Sequence, residues 1–263
     1  LPEQPQLPQT AVSQERRQWL GFGLAAAACT LFAVLLVPGF NSQVSTEIYQ
    51  TDLGETKSVH LADGSVVTLN TSSKISVELD SESRHVVLER GEAFFEITRD
   101  PQQRPFTVDA GNAEVRVMGT AFNIHRLSTH SDITVTEGVV RVTEKGNAAN
   151  RAAVSELLYA NQSIRSESSG LAPAQTAEST VSTAWREGKI IAQSMALSEL
   201  VQEISRYHQL KIMIAEPGLA QTKVSGVFNL NQPDSILEAL EHSIGINAMV
   251  LEDQTVLLIK TTL

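Results

Sequence analysis

The pair Gly119-Thr120 has the residue types for a covalent reaction of the chain with itself. A threonine hydroxyl can attack the preceding carbonyl and convert the amide to an ester through an N-to-O acyl shift. Glycine assists because no neighbouring Cβ shields its carbonyl and because it tolerates strained dihedral angles. Strain in the folded peptide bond would raise the amide toward the transition state. The alternative is structural: Gly119 would mark a bulge and Thr120 would be an ordinary strand residue.

Other side chains that could bind a metal or activate a substrate occur in an unfavourable pattern. The spacing of His125, His130 and Asp132 matches no common ligand set, so we predict no metal site. His125 follows Ile124 in a predicted strand, where alternation points its side chain away from the face of Thr120. The sequence has no GxSxG, HExxH or P-loop motif. We therefore predict neither a cofactor nor catalysis on an external substrate.

The elements that would position these residues are short strands. From residue 46 to residue 165, apolar and polar residues alternate in short runs, which is the period of a β-strand. Asp63-Gly64 lies between two such runs and predicts a tight hairpin turn. Arg90-Gly91 and Glu137-Gly138 predict further breaks. Because no helical run intervenes, we predict an all-β domain over residues 46–165, and the periodicity leaves a sandwich, a barrel and a β-helix open.

A second, smaller domain is predicted after a linker. Residues 166–184 are rich in Ser, Thr and Ala, which is typical of a linker. Farther along, apolar residues at helical spacing predict helices over residues 196–208 and 233–244, with short strands around them. The order strand, helix, strand occurs twice. We therefore predict a small α+β domain over residues 185–263, built from a duplicated βαβ unit.

The smaller domain offers a binding surface if one of its strands lies at an open sheet edge, because an unpaired edge accepts a partner strand. The candidates are Lys223–Leu230 and Thr255–Lys260, and the alternative is that both are interior strands. The residues predicted for partner binding are Lys223, Val224, Val227, Phe228, Leu230, Val256 and Leu258. In the larger domain, Phe94 and Phe95 must face opposite sides of one strand. One ring should reach the core. For the other we predict a second packed layer, with an exposed contact surface as the alternative.

An uncharged run from Trp19 to Phe40 follows Arg16 and Arg17 and is long enough to cross a membrane. At 1.5 Å per residue it spans about 33 Å, against about 30 Å for the hydrocarbon core. Because the positive charges precede it, we predict a cytoplasmic N-terminus, a retained anchor over residues 19–40 and an exported C-terminal mass. A cleaved signal peptide would have a shorter apolar core. A buried helix of a soluble protein would show a polar face.

The composition of the chain limits the classes of molecule that it can bind. Residues 1–18 are rich in Pro and Gln and predict a disordered cytoplasmic arm. The net charge of −10 argues against nucleic acid as a partner, because phosphate binding needs clustered Lys and Arg. The only cysteine, Cys29, lies inside the predicted span. The exported part therefore has no disulfide and depends on its core for stability.

The order of several short motifs resembles the FecR-like family of transmembrane sensors. Single pieces are weak signals, but their joint order covers the span and nearly everything after it. The motifs are Gly54-Glu55, Asp63-Gly64-Ser65, Leu69-Asn70, Gly91-Glu92-Ala93-Phe94-Phe95-Glu96-Ile97, Arg104-Pro105-Phe106, Gly119-Thr120-x-Phe122-x-Ile124, Glu137-Gly138 and Trp185-Arg186-Glu187-Gly188. The chain beyond Trp185 is similar to the secretin and TonB short N-terminal domain.

The resemblance implies an inner-membrane regulator of an extracytoplasmic-function sigma factor in cell-surface signalling, with its β domain in the periplasm. In that family an outer-membrane TonB-dependent receptor binds an iron-siderophore or a similar ligand, and its signalling domain contacts the regulator's C-terminal region. The signal then frees or activates the sigma factor. Members usually carry a sigma-binding domain before the anchor. We therefore expect sigma binding through a segment that is not among residues 1–263, and we expect this chain to be a fragment or a processed product.

Two rival functions stay open from the sequence. Some members of the family are similar to self-cleaving proteins that break a Gly-Thr bond, so Gly119-Thr120 is the predicted cleavage site if the chain processes itself once. The C-terminal fold also fits a structural component of a secretin-like export channel.

Overall fold

The computed structural model describes residues 45–145, 154–251 and 254–261. The predicted cytoplasmic arm and the predicted span over residues 19–40 lie outside these ranges. Among the helices of the described ranges, none combines the length and the apolar character needed to cross a membrane.

Alternating side chains form fourteen strands in the first part of the described chain, and these strands join into one sheet. The alternation buries every second residue, which is why the sequence pattern located these strands. Their bounds are β1 Thr46–Gln50, β2 Lys57–His60, β3 Val66–Leu69, β4 Lys74–Leu79, β5 Arg84–Glu96, β6 Phe106–Asp109, β7 Ala113–Val117, β8 Ala121–Arg126, β9 His130–Glu137, β10 Val139–Glu144, β11 Ser155–Tyr159, β12 Gln162–Glu167, β13 Gly170–Leu171 and β14 Gln175–Thr176. The prediction of an all-β domain is confirmed.

The long strand β5 organises the sheet. Its first half pairs with β4 and with the parallel strand β6, and its second half pairs with β3 and β8. Gly91 lies between the halves with φ of +85°, a left-handed conformation that glycine adopts without a steric penalty. The predicted break at Arg90-Gly91 is therefore wrong, because the glycine redirects a continuous strand. The hairpin turn at Asp63-Gly64 is confirmed, since it joins the paired strands β2 and β3.

The two halves of the sheet bury their inner faces in one apolar core. Phe95 and Phe122 stack in this core with ring centroids 5.0 Å apart. Phe94, the next residue along β5, contributes instead to the core of the C-terminal domain. The prediction that the two rings serve different layers is confirmed.

The segment predicted as a linker contributes ordered structure to the sheet. β13 and β14 both pair with β12, and they are followed by helix α1 at Ser179–Thr183 and a 3-10 turn at Ala184–Glu187. The Ser- and Thr-rich composition is therefore compatible with strand pairing, and Ser166 in β12 is buried.

The C-terminal domain has two longer helices with a shared apolar core, in addition to one helix of four residues. The helical spacing seen in the sequence places apolar residues of both helices against a two-stranded and a three-stranded sheet. The elements are β15 Lys189–Ala196, α2 Leu197–Ser205, β16 Lys211–Ile214, α3 Pro217–Ala220, β17 Lys223–Asn229, α4 Pro233–Ile244, β18 Ile246–Val250 and β19 Thr255–Lys260.

The connectivity of this domain differs from the predicted duplication in one respect. The order strand, helix, strand does occur around each of the longer helices α2 and α4, but the strands on either side of each helix belong to different sheets. β15 pairs with β17, whereas β16 and β18 both pair with β19. The domain is α+β, and its two units are not closed βαβ units because neither contains two strands of one sheet.

Candidate functional site

A buried carboxylate, Glu92, lies where the β domain meets the C-terminal domain. It follows Gly91 in β5, and alternation places it with Phe94 and Glu96 on the face away from the β-domain core. Glu92 is only 4% exposed. A charged carboxylate is costly to bury unless it is paired and hydrogen-bonded, so its partners identify the purpose of the site.

Both carboxylate oxygens of Glu92 accept hydrogen bonds, and the donors come from both domains. Asn123 of β8 donates through Nδ2 to Oε1 over 2.9 Å, and Asn70, which follows β3, donates through Nδ2 to Oε2 over 2.8 Å. From the C-terminal domain, Arg206 donates through a guanidinium nitrogen to Oε2 over 2.9 Å. We call these residues, together with Tyr207, the seam. It is a charge-assisted network that crosses from one domain to the other.

Arg206 and Tyr207 reach the seam because they directly follow helix α2. Arg206 makes a second ion pair with Glu203, with nitrogen and oxygen 2.6 Å apart. Burial alone would lower the pKa of Arg206, but the nearby Glu92 and Glu203 outweigh it and raise that pKa. The Tyr207 hydroxyl accepts a hydrogen bond from Asn70 over 2.6 Å. Burial, reinforced by Glu92, raises the pKa of Tyr207, so the phenol stays neutral.

Glu92 itself is ionised at neutral pH despite its burial. Burial would raise its pKa, but the neighbouring His125 and Arg206 and the hydrogen bonds from Asn123 and Arg206 together lower it. The β domain therefore contributes a buried negative charge, Glu92, to the seam, and the C-terminal domain contributes Arg206, which neutralises it.

Contacts of Trp185 and Arg186 extend the seam on one side. Trp185 is buried and donates through Nε1 to Oδ1 of Asn123 over 3.3 Å. The Arg186 guanidinium lies 3.9 Å from the ring centroid of Phe94 and also pairs with Glu96. The motif at Trp185-Arg186 thus fixes the start of the C-terminal domain to the outer face of β5 through packing and a cation–π contact.

A cleft of about 650 Å³ opens beside the seam, between strands β8, β9 and β12 and the C-terminal domain. Its walls carry charged groups of both signs and apolar residues of β15. Among the lining residues are Glu92, His125, Asp132, Arg165, Ile191 and Met195. Asp132 is paired there with Arg165, over 2.7 Å. Within the described ranges, no three residues of the His, Cys, Asp and Glu types converge as a metal site would require.

Gly119-Thr120 lies in the connection between β7 and β8. The Thr120 carbonyl accepts a hydrogen bond from Ile97 over 2.9 Å. The Thr120 hydroxyl is buried and has no hydrogen-bond partner among the described residues. Gly138 packs closely on the methyl group of Thr120, since a Cβ added to Gly138 would lie 2.7 Å from Cγ2 of Thr120. His125 lines the cleft instead, so the structure does not place it with Thr120 as one site.

The predicted edge residues divide into two groups. In the described chain β17 pairs only with β15, so Lys223–Leu230 does present an open edge. Val227 is 63% exposed there, while Val224, Phe228 and Leu230 are buried. The prediction for Thr255–Lys260 is wrong, because β19 is the central strand between β16 and β18. Val256 and Leu258 are core residues. The pairing of β19 with the distant strand β16 is not visible in the local sequence of either strand.

The residues of the seam were missed as functional residues. Glu92 and Arg206 are separated by 114 positions, and no local pattern connects them. The available signal was Glu92 itself, an acidic residue on the same face as Phe94 and directly before the apolar run Ala93–Phe95.

The comparisons with known proteins agree with this architecture. The family model described as FecR protein matches residues 47–141, and the model described as FecR, C-terminal, matches residues 189–258. The chain belongs to the FecR family, since the two models together match more than half of it. No curated protein gives a significant match.

Among solved structures, the chain is similar to a candidate anti-sigma factor from Parabacteroides distasonis, determined by crystallography at 2.50 Å resolution. The two are 25% identical with a TM-score of 0.69, and the match covers 83% of this chain and the whole of the other. A second crystal structure under the same description, at 1.65 Å resolution, has the same identity and TM-score and covers 82% of this chain.

Proposed function

We propose that this chain is an inner-membrane regulator of an extracytoplasmic-function sigma factor. It relays a signal from the periplasmic signalling domain of an outer-membrane TonB-dependent receptor, for uptake of an iron-siderophore or a similar ligand. Membership of the FecR family supports the regulatory class, and the structural neighbour described as a candidate anti-sigma factor supports the sigma-factor partner. The chain has a single span over residues 19–40, a cytoplasmic N-terminus and a periplasmic C-terminus.

One observation carries the proposal: the C-terminal domain is attached to the β domain through a buried ionic network. Glu92 depends on Arg206 for its charge compensation. We infer that the two domains exchange between a docked and a separated arrangement, because losing the ion-pair partner of buried Glu92 is costly and favours an all-or-none step. A partner that binds the C-terminal domain can shift the balance between them, which is what a relay requires.

The receptor contact is proposed at the open edge of β17. Val227→Asp places a charge at a side chain that is 63% exposed, so folding should be preserved while strand addition is disfavoured. We expect binding of the purified receptor signalling domain to the full chain, measured by calorimetry, to weaken by about tenfold or more, since a buried unpaired charge costs over 1.4 kcal/mol.

The matched control is Val139→Asp in β10, where the parent side chain is 44% exposed on the β domain. This variant should bind the receptor domain like the parent. Equal binding by the parent and Val227→Asp would refute the β17 contact, and no binding by any form would refute the receptor partner.

Self-cleavage at Gly119-Thr120 is a second candidate function, favoured by the buried and unpartnered hydroxyl of Thr120. Attack of this hydroxyl on the Gly119 carbonyl would break the amide and form an ester, while the hydroxyl proton passes to the released amine of Thr120. Water would then hydrolyse the ester. The products are a chain ending in the Gly119 carboxylate and a chain beginning with Thr120.

A denaturing gel tests this reaction. The parent should show two fragments, Thr120→Ala should show one intact band, and Thr120→Ser should restore cleavage because it keeps a hydroxyl. Thr136→Ala is the matched control, since Thr136 also has a buried hydroxyl without a partner in the described chain, and it should cleave like the parent. An intact parent, or a cleaved Thr120→Ala, would exclude self-cleavage.

A further inference from the structure

The turn at Asn70–Ser73, between β3 and β4, contacts two distant parts of the protein at once. Its conformation is fixed from within: Ser72 has a left-handed φ of 51°, and the Ser73 hydroxyl bonds to the backbone of Glu92 over 2.9 Å. These bonds fix the turn to the backbone of β5.

On one side the turn holds the end of helix α2. The Asn70 side chain donates to the Tyr207 hydroxyl over 2.6 Å. The Thr71 hydroxyl donates to the backbone carbonyl of Arg206 over 2.9 Å. These two bonds attach the turn to the residues that complete the seam.

On its other side the turn holds the segment that leaves β1. The Thr51 amide donates to the Ser73 carbonyl over 3.0 Å, and the Ser72 amide donates to the Asp52 carbonyl over 3.0 Å. The Gly54 amide donates to the Thr71 hydroxyl over 2.8 Å. β1 is the first strand after the predicted span in the sequence.

The Thr71 hydroxyl joins the two sides. It donates its one proton to Arg206 and accepts from Gly54, so it completes a continuous path from α2 to the segment after β1. The groups along this path are closely packed. Thr71 is buried, and a Cβ added to Gly54 would lie 3.0 Å from the Tyr207 carbonyl oxygen. Packed groups with two discrete arrangements are the physical carriers of coupling.

We propose that Thr71 is a positioning residue that couples the C-terminal domain to the segment directly after β1, so that displacement of Arg206 and Tyr207 reaches the first strand of the β domain without passing through the β-domain core. The evidence for this coupling is the set of hydrogen bonds made by the Thr71 hydroxyl and by Asn70, Ser72 and Ser73 of the same turn. Its use in signalling rests on the proposed function.

Hydrogen exchange of the full chain, read at the Gly54 and Thr51 amides, tests the coupling. Thr71→Val keeps the shape of the side chain but removes the shared hydroxyl, and we expect exchange at Gly54 to accelerate by about fivefold, the loss of one typical hydrogen bond. Thr71→Ser retains the hydroxyl and should exchange like the parent. Thr143→Val is the control, because Thr143 lies in β10, outside the turn, and its hydroxyl bonds to Ser155 of β11.

A double-mutant cycle separates coupling from simple loosening. Tyr207→Phe removes the acceptor of the Asn70 bond, and we expect it to accelerate exchange at Thr51 in the parent but much less in the Thr71→Val background. Independent, additive effects, or unchanged exchange in Thr71→Val, would overturn the proposal. A coupled cycle together with a failed receptor-binding experiment would refute the proposed function and leave the coupling intact.

Discussion

Arg206→Met is expected to lower the free energy of unfolding by about 3–5 kcal/mol, the usual cost of removing one partner of a buried ion pair. Methionine fills much of the space of the arginine stem, so the loss reflects charge more than volume. Glu92, 4% exposed, would remain buried with its carboxylate oxygens bonded only to neutral amides. Urea denaturation of the full chain measures the change.

Two comparisons make this expectation specific. Arg116→Met removes an arginine whose side chain is 54% exposed in its pair with Glu114, and it should cost less than about 1 kcal/mol. The double variant Glu92→Gln with Arg206→Met removes the unpaired charge and should recover part of the loss. If Arg206→Met and Arg116→Met had equal effects, the seam would not be a buried ionic contact.

Gly91→Ala is expected to destabilise the protein by about 3 kcal/mol or more. Alanine at φ of +85° is strained, which costs about 1–2 kcal/mol. The added Cβ would also lie 2.3 Å from Oγ and 2.6 Å from Cα of Ser73, so the backbone must move, at a further cost of about 1–3 kcal/mol. Because Ser73 belongs to the turn at the seam, the displacement should also weaken domain docking. Thermal unfolding measures the loss.

Gly218→Ala is the control for this effect. Gly218 lies in helix α3, has no positive φ, and a Cβ added there meets nothing within 4 Å. The change should leave stability within about 1 kcal/mol of the parent or raise it slightly. A Gly91→Ala protein as stable as Gly218→Ala would show that the bend in β5 does not depend on glycine.

The parts of the fold that the sequence predicts are those with local causes. Strand alternation depends on neighbours two positions apart, and the hairpin at Asp63-Gly64 depends on one glycine, so both could be inferred from short segments. The helix at Pro233–Ile244 begins with a proline and is followed by Gly245 at φ of 65°, and its bounds follow from these residues.

The parts that could not be predicted depend on pairing over long separations. β19 is interior because it pairs with the distant strand β16, and its own residues do not reveal this partner. Gly91 looks like a turn residue, yet β5 continues through it, and only its partner strands change there, from β4 and β6 to β3 and β8. Glu92 receives its cation from Arg206 only after two domains have folded and docked. The site was therefore invisible to motif and periodicity analysis.

The most direct test of the proposed relay is transcription from the promoter of the cognate sigma factor, measured with and without the receptor's ligand at equal levels of membrane-bound regulator. The parent and Val139→Asp should respond to the ligand, and Val227→Asp should respond much more weakly at the same ligand concentration. A full response by Val227→Asp would contradict the account.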